Sequence, residues 1–136
     1  MPQLQHRRDF LKRAAAGGLA ATFAISGTKA SGRVLGANDR VRVAVAGING
    51  RGQQHITAYG EMRDVEIAWL VDPDSRLFAS RSAAVQKLAG NTPQCVQDFR
   101  RVLDDKTLDA VSIVTPNHWH VLLAVWACRA GKDVYC

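Results

Sequence analysis

Cysteine, proline and aromatic residues are scarce in this sequence, and no internal repeat is found. Its 136 residues include 3 Cys and 4 Pro, and 7% are aromatic. The cysteines are odd in number and form no C-x-x-C motif, which is compatible with an exported protein but excludes a dense disulfide framework. A bond between Cys95 and Cys136 is excluded, because their strands are predicted at opposite edges of one sheet. We predict buried, core positions for the cysteines and tryptophans alike: Cys95, Cys128, Cys136, Trp69, Trp119 and Trp126.

Acidic residues are almost absent from the first 37 positions, which contain one acidic and six basic side chains. That segment carries a charge of +5 out of the total of +6, and residues 38–136 carry +1. A nucleic-acid-binding domain would carry its excess charge on the folded body. The nearly neutral body therefore argues against a nucleic-acid partner. The whole chain is 47% hydrophobic and 22% charged, which is typical of a globular protein.

The N-terminal segment has no apolar run long enough to cross a membrane. Its uncharged stretch, Ala14 to Ile25, has twelve residues, and a helix of that length spans about 18 Å of a hydrocarbon core about 30 Å thick. Arg7 and Arg8 precede this stretch and are followed by Asp-Phe-Leu-Lys, which resembles a twin-arginine export motif. We predict that residues 1–37 are a twin-arginine signal and linker, that the translocase is a partner, and that the protein is periplasmic. An amphipathic or buried N-terminal helix is the alternative.

Strand and helix patterns alternate in the remaining residues, 38–136. Apolar β-branched runs predict strands and three- or four-residue apolar spacing predicts helices. The strands are predicted over 40–46, 65–71, 94–96, 110–114 and from 133, and the helices over 51–62, 74–88, 99–103 and 117–130. This order predicts an α/β fold with a doubly wound parallel sheet of strand order 3-2-1-4-5. The buried faces of the first two helices are predicted to contain Ile56, Tyr59 and Met62, and Leu77, Ala84, Val85 and Leu88.

A glycine-rich segment, Gly47-Ile-Asn-Gly-Arg-Gly52, joins the first predicted strand to the first helix. This is the context of a dinucleotide-binding turn, where glycines permit a sharp bend, close approach of a pyrophosphate and close helix packing. Asn49 stands where the second glycine is usual, with Gly50 beside it, and Asn is the non-glycine residue that best tolerates a positive φ. An ordinary strand–helix turn is the alternative.

Asp72 ends the second predicted strand, 25 residues after Gly47. A carboxylate at this position accepts hydrogen bonds from the adenosine ribose and repels a 2′-phosphate, so it favours NAD over NADP. Arg51 and Arg76 could accommodate a phosphate, which leaves NADP as the alternative. The other role open to Asp72 is to cap the helix that starts near Pro73.

The segment Val114-Thr-Pro-Asn-His-Trp-His120 follows the fourth strand, beside the first strand at the reversal of strand order. Pro116 fixes the exit of the chain. Thr115 and Asn117 offer donors and acceptors for a nicotinamide ribose, and Asn117 is also suited to cap the next helix. His118 and His120 have the spacing of a metal pair, but no further ligand accompanies them, so one exposed and one packed imidazole are expected.

These features together resemble the Gfo/Idh/MocA oxidoreductases (glucose–fructose oxidoreductase, inositol dehydrogenase and rhizopine-catabolism proteins) over residues 40–136. The resemblance rests on the glycine turn and on four short segments: Val71-Asp72-Pro73, Asp98-Phe-Arg, Leu108 to His120, and Gly131-Lys-Asp-Val-Tyr. It implies that the pyrophosphate is held by Gly47, Asn49, Gly50, Arg51 and Gly52, and the adenosine ribose by Asp72. It implies that the nicotinamide side is lined by Thr115, Pro116, Asn117 and His120.

The resemblance also implies an NAD(P)-dependent enzyme acting on a sugar or polyol hydroxyl, with a catalytic lysine just after the fifth strand and a C-terminal α/β substrate domain. Neither lies within the sequence, which ends at Cys136. We therefore expect residues 38–136 to be an incomplete Rossmann domain, a fragment without catalytic residues of its own. Family members commonly oligomerise through the missing domain. An NAD-using glycosidase on the same scaffold, a non-catalytic binding protein and a non-functional remnant are the alternatives.

Overall fold

The computed structural model describes residues 40–136, and the predicted signal and linker over 1–37 lie outside the described residues. Strands and helices alternate along this part of the chain. The strands are β1 Val41–Ala46, β2 Val65–Val71, β3 Gln94–Val96, β4 Ala110–Ile113 and β5 Asp133–Tyr135. The helices are α1 Arg51–Gly60, α2 Phe78–Ala89, α3 Arg100–Leu103 and α4 Asn117–Arg129, and a single 3₁₀ turn, Ser75–Leu77, precedes α2.

The five strands form one parallel sheet in the order β3-β2-β1-β4-β5, which confirms the predicted topology. β1 is central and pairs with β2 on one side and β4 on the other. An irregularity between Val43 and Ala44 shifts the register against β2 by one residue. Because all strands run in the same direction, the turns after β1, β2 and β4 meet at one edge of the sheet.

Helices cover both faces of the sheet, and each face has its own apolar cluster. One cluster joins Ala44 and Ala46 of β1 to side chains on α3 and α4, including Val102 and Leu123. The other joins Val45 to α1 and α2, through residues including Ile56 and Val85. The period of two along β1 sends neighbouring residues to opposite clusters. The sheet is therefore doubly wound, as the element order predicted.

The second helix differs from its predicted span of 74–88. The Asp72 and Asp74 carboxylates accept hydrogen bonds from the backbone N–H groups two residues ahead, at Asp74 (2.9 Å) and Arg76 (3.1 Å). Such side-chain turns compete with regular helix. The chain accordingly makes a 3₁₀ turn first, and α2 begins at Phe78.

Several side chains predicted to be buried are exposed. Met62 lies beyond the end of α1 and is 50% exposed, Leu88 is 40% exposed, and Trp119 is 45% exposed at the first turn of α4. Helical spacing identifies residues that share a face, but it does not determine where the helix ends or which face meets the sheet. The cysteine prediction was also wrong for Cys128 and Cys136, which are exposed, whereas Cys95 is half-buried and packs against the apolar cluster beneath α1 and α2. All three are free thiols.

A buried lysine links two connections at the edge of the sheet opposite the β1, β2 and β4 turns. Lys132 is 5% exposed, and its ammonium group donates hydrogen bonds to the carbonyl oxygens of Asp105 (2.6 Å) and Leu108 (2.9 Å). Burial lowers the pKa of Lys132.

Within residues 40–136, no helix has the length and hydropathy needed to cross a membrane.

Candidate functional site

The turn after β1 fits against the turn after β4 with no room for a side chain. Gly47 has a φ of +86°, and a Cβ atom there would lie 2.8 Å from the backbone of Val114 and Thr115. Its own N–H donates to the Val71 carbonyl oxygen over 2.8 Å. Gly47 thus brings the ends of β1, β2 and β4 together.

Gly52 permits an equally close approach between α1 and the turn that precedes it. A Cβ atom on Gly52 would lie 1.9 Å from the carbonyl oxygen of Gly47. The first turn of α1 therefore begins directly beside the end of β1. The N–H groups and positive dipole end of such a helix favour an anion at this position.

The middle of the glycine turn differs from expectation at Asn49. Among residues 40–136, no residue other than glycine has a positive φ, so Asn49 does not take up the strained conformation. Gly50 does, with a φ of +42° and open space around its Cα. The Asn49 side chain instead accepts a hydrogen bond from the Gly50 N–H over 2.9 Å. Arg51, the next residue, is exposed at the start of α1.

Asp72 connects the turn after β2 to the glycine turn. It is 7% exposed, and one carboxylate oxygen accepts a hydrogen bond from the Ile48 N–H (3.0 Å) while the other accepts one from the Asp74 N–H (2.9 Å). Asp74, rather than Asp72, caps the 3₁₀ turn. A carboxylate has about four acceptor positions, so Asp72 retains capacity for ligand hydroxyl groups.

The two arginines considered for a phosphate differ in their surroundings. Arg76 forms a two-point ion pair with Asp74, with contacts of 2.8 Å from both Nε and a terminal nitrogen. Hydrogen bonding to Arg76 lowers the pKa of Asp74. Arg51 lies on the other side of the glycine turn, near β4 and β5. Neither guanidinium is therefore free beside Asp72.

Two clefts open at this edge of the sheet. The apolar cleft has a volume of about 510 Å³ and lies beside Asp72, between the end of β2 and the start of α4. Its walls include Gly47, Pro73, Asp98, Phe99, Arg100, Thr115, Pro116, Trp119 and Trp126. The His55 cleft has a volume of about 320 Å³ and is lined by Arg51, His55, Val114, Thr115, Asn117, His120 and Tyr135.

Thr115 lines both clefts. Its hydroxyl oxygen is buried and has no hydrogen-bond partner among the described residues. Leaving a buried hydroxyl unpaired costs free energy, so this group needs an explanation. Rotation about the first side-chain bond exchanges the hydroxyl and methyl groups of a threonine. The Thr115 hydroxyl is therefore suited to bind a ligand that occupies either cleft.

The other predicted residues of this segment lie around Thr115. Pro116 is exposed and precedes α4, which starts at Asn117 without a side-chain cap. His120 is half-buried and its Nε2 atom lies 2.6 Å from the Thr115 carbonyl oxygen. Because a carbonyl oxygen only accepts, His120 must donate from Nε2.

The remaining histidine and tryptophan side chains differ in their surroundings. His118 is exposed and lies against Trp119, with ring centroids 5.9 Å apart. No cluster of three metal-ligating side chains occurs within residues 40–136. Trp119 and Trp126 line the apolar cleft. Trp119 is exposed, which corrects its prediction as a core residue, whereas Trp126 is half-buried and also packs against the apolar cluster beneath α3 and α4. Trp69, half-buried, donates from its indole nitrogen to Asp105 over 2.8 Å.

Sequence reasoning missed the pair formed by His55 and Ser112. His55 Nδ1 lies 2.9 Å from the Ser112 hydroxyl, although 57 positions separate the two residues. Burial, and secondarily the charge of Arg51, lower the pKa of His55. A hint was available, because Ser112 is the one polar residue in the run Ala110 to Val114 and a buried hydroxyl requires a partner.

Asp98 and Arg100 form the other charged feature of the apolar cleft. The Arg100 guanidinium donates to both carboxylate oxygens of Asp98, at 2.7–3.2 Å. This hydrogen bonding lowers the pKa of Asp98 to about 2. The pair adds no net charge to the mouth of the cleft, which leaves Asp72 as its unpaired carboxylate among the lining residues.

Comparison with known proteins gives consistent results. The family model GFO_IDH_MocA, described as an oxidoreductase family with an NAD-binding Rossmann fold, matches residues 41–136. A Glycosyl hydrolase family 109 protein from Solibacter usitatus is 31% identical over 138 residues, covering 94% of this chain and 31% of the relative. A levoglucosan dehydrogenase from Pseudarthrobacter phenanthrenivorans is 44% identical over 39 residues, covering 29% of this chain and 10% of the relative.

Solved structures agree with the family match. The crystal structure of an NAD binding oxidoreductase from Klebsiella pneumoniae is similar with a TM-score of 0.60 and 30% identity. The similarity covers 71% of this chain and 27% of that one. The chain therefore spans about a third of the length of its curated relatives and a similar share of this structure.

Proposed function

Because the chain belongs to the Gfo/Idh/MocA oxidoreductase family, which has an NAD-binding Rossmann fold, we propose that it is the nucleotide-binding part of a sugar or polyol dehydrogenase. In such an enzyme NAD accepts hydride from a carbon that bears a hydroxyl group, while a base removes the hydroxyl proton. The family resemblance implies that this base is a lysine. Residues 40–136 bind and orient the dinucleotide in this proposal.

The fit of the residues to a dinucleotide supports this role. The space that a Cβ would fill at Gly47 and Gly52 is taken by neighbouring backbone, so the helix end comes close to the turn. That arrangement suits a pyrophosphate bound at the start of α1. Gly50 and Asn49 form the open side of the turn, and Arg51 is close enough along the helix to contribute a positive charge.

The two clefts differ in a way that suits the two halves of NAD. Phe99, Trp119 and Trp126 give the apolar cleft flat aromatic walls, which suit a planar adenine, and Asp72 would accept from its ribose. We assign the nicotinamide half to the His55 cleft, where Thr115, Asn117 and His120 supply polar groups. The negative charge of Asp72 and the engagement of Arg76 by Asp74 favour NAD over NADP.

The strongest support for a bound ligand at this site is the buried Thr115 hydroxyl, which has no hydrogen-bond partner among the described residues. Thr115→Val keeps the shape of the side chain and removes the hydroxyl, so the free energy of unfolding without NAD should be unchanged or slightly higher. NAD affinity, measured by isothermal titration calorimetry on the full chain, should fall by about fivefold, the equivalent of roughly 1 kcal/mol for one hydrogen bond.

Thr57→Val serves as the matched control, because Thr57 is exposed on α1 and its hydroxyl donates only to the Gln53 carbonyl oxygen. Its NAD affinity should equal that of the unsubstituted chain. A folded chain that does not bind NAD at millimolar concentration would contradict the proposal. Equal affinities for the two variants would remove the role assigned to Thr115.

An NAD-using glycosidase is the second candidate, and the relatives support it. The Solibacter usitatus relative, which aligns with 94% of this chain, is named as a glycosyl hydrolase. In that candidate NAD is a transient oxidant and is regenerated in each cycle. The whole gene product should be tested with sugars and with glycosides: a dehydrogenase accumulates NADH, whereas a glycosidase releases sugar without net NADH. DNA sequence downstream of codon 136 would reveal whether a lysine and a substrate domain follow.

We also propose that residues 1–37 direct export to the periplasm through the twin-arginine translocase. The alignment with the glycosyl hydrolase relative covers 94% of the chain and so extends into this segment. Fusing residues 1–37 to a folded reporter protein tests the proposal in a bacterium. Replacing Arg7 and Arg8 together by lysine keeps the charge and should abolish export; unchanged export would contradict it.

A further inference from the structure

A buried hydrogen bond fixes the His55 imidazole at the wall of its cleft. His55 Nδ1 lies 2.9 Å from the hydroxyl of Ser112, which is 1% exposed on the central part of β4. The hydroxyl either donates to a neutral ring or accepts from the Nδ1 proton, so the contact is available to both tautomers. Because Ser112 cannot move out of the sheet, it determines the position of the ring.

Two tyrosine rings enclose the same imidazole. Tyr59, one helical turn further along α1, meets it edge to face with centroids 6.0 Å apart. Tyr135, on β5, is tilted against it at 5.7 Å. The imidazole therefore has hydrogen-bonding and aromatic neighbours on three elements, and it remains part of the cleft lining. The position of the His55 ring is therefore fixed by its neighbours. His55 is not among the residues that the sequence predicts to bind NAD.

The charged and titratable side chains that face His55 are few. Arg51 and Tyr59 belong to its own helix, Tyr135 and Cys136 come from β5 and the residue after it, and His120 comes from α4. No carboxylate side chain is among the described residues that line the cleft. An imidazolium here would have no opposite side-chain charge beside it, and burial together with Arg51 lowers the pKa of His55. These surroundings therefore favour the neutral form of the ring.

We infer that His55 is a nicotinamide-side residue of the dinucleotide site and that its protonation discriminates against the oxidised cofactor. The inference rests on the proposed function, which assigns the nicotinamide to this cleft. The oxidised nicotinamide ring carries a positive charge and the reduced ring does not. A neutral imidazole on Ser112 accepts either ring as a neighbour, whereas an imidazolium repels only the cationic one.

Calorimetric titration of the full chain with NAD⁺ and with NADH, at about pH 5 and about pH 7.5 and one ionic strength, tests the inference. The ratio of the Kd for NAD⁺ to the Kd for NADH should rise by roughly fivefold at the lower pH, as two charges about 4 Å apart in largely aqueous surroundings would give. In His55→Gln the change of the ratio with pH should be smaller than in the unsubstituted chain, because His55 is one of two histidines among the described residues that line the cleft. His118→Gln, an exposed histidine outside both clefts, should behave as the unsubstituted chain does.

A ratio that is independent of pH in the unsubstituted chain would overturn the inference, as would a pH effect in His55→Gln as large as that in the unsubstituted chain. Absence of binding by both nucleotides at both pH values would overturn the proposed function itself, so the two failures are distinguishable. A second measurement needs no substitution: NMR titration of the histidine rings. Because linkage is reciprocal, NAD⁺ should lower the pKa of His55 more than NADH does, and equal shifts would contradict the inference.

Discussion

Individual side chains at the ends of β1, β2 and β4 each satisfy a local requirement and also prepare the site. Asp72 illustrates this double role. Its two oxygens accept the Ile48 and Asp74 N–H groups and so join the glycine turn to the β2 turn. The same charge then faces the position proposed for the adenosine ribose. Stability and cofactor choice are therefore coupled at one carboxylate.

Replacing Asp72 by asparagine should weaken both roles. The amide retains one acceptor oxygen but loses the charge, so one backbone N–H loses its partner and a 2′-phosphate is no longer repelled. NAD affinity should fall by about tenfold, in the range of a hydrogen bond to a charged group, and the preference for NAD over NADP should shrink. Competitive binding of the two nucleotides measures both effects.

Asp64→Asn is the control for this substitution, since Asp64 is exposed before β2, at the opposite end of that strand. It should leave both affinities unchanged. An unaltered preference in Asp72→Asn would show that the carboxylate does not contact the ribose.

At the scale of elements, the buried ammonium group of Lys132 joins two connections at the end of the sheet opposite the clefts. Lys132 satisfies two carbonyl oxygens in the connection before β4 from its own position just before β5. Lys132→Met fills a similar volume but leaves the Leu108 carbonyl oxygen without its partner and the Asp105 carbonyl oxygen with only the Leu108 N–H, at 3.4 Å. We expect the free energy of unfolding in urea to fall by about 2 kcal/mol, with NAD affinity unchanged because the clefts lie at the other edge.

Lys106→Met removes an exposed lysine from the same connection and should change stability by no more than about 0.5 kcal/mol. Equal stabilities of the two variants would mean that the buried hydrogen bonds of Lys132 contribute nothing measurable. A loss of NAD binding in a folded Lys132→Met chain would show that the two edges are coupled.

The elements also show how far sequence reasoning reaches. The bounds of β2 and β3 and the start of β5 at Asp133 are those predicted. A continuous apolar run identifies β2 as a buried strand, whereas β3 and β5 are short edge strands with exposed residues. The 3₁₀ turn before α2 was missed because it arises from side-chain hydrogen bonds at Asp72 and Asp74. Trp119 was misplaced because α4 is apolar on most of its surface, so its composition does not indicate which face contacts the sheet.

The candidate site was partly accessible in the same way. The glycine turn, Asp72 and the segment from Thr115 to His120 stand out because they follow strands, and strand order brings them to one edge. The contact between His55 and Ser112 joins an α1 side chain to the middle of β4, and no local pattern specifies it. The backbone conformation of Asn49 was also unpredictable, because either Asn49 or Gly50 could have supplied the positive φ that Gly50 adopts.

At the scale of the whole molecule, the charge of +6 and the two clefts belong to different parts of the chain. Most of the charge lies before residue 38, in the segment proposed for export. The body presents a nearly neutral surface with an acidic residue at one cleft and a permanent cation, Arg51, at the other.

In the proposed complex one dinucleotide occupies both clefts and passes Thr115, and NMR titration of the isotope-labelled full chain tests this arrangement. Saturating NAD⁺ should shift the amide signals of the glycine turn, Asp72, Thr115 and His55 together, with a single affinity. Adenosine monophosphate should shift those around the apolar cleft and leave His55 and Tyr135 unchanged. Shifts confined to one cleft, or centred on Lys132 at the opposite end of the sheet, would contradict a dinucleotide that spans both clefts.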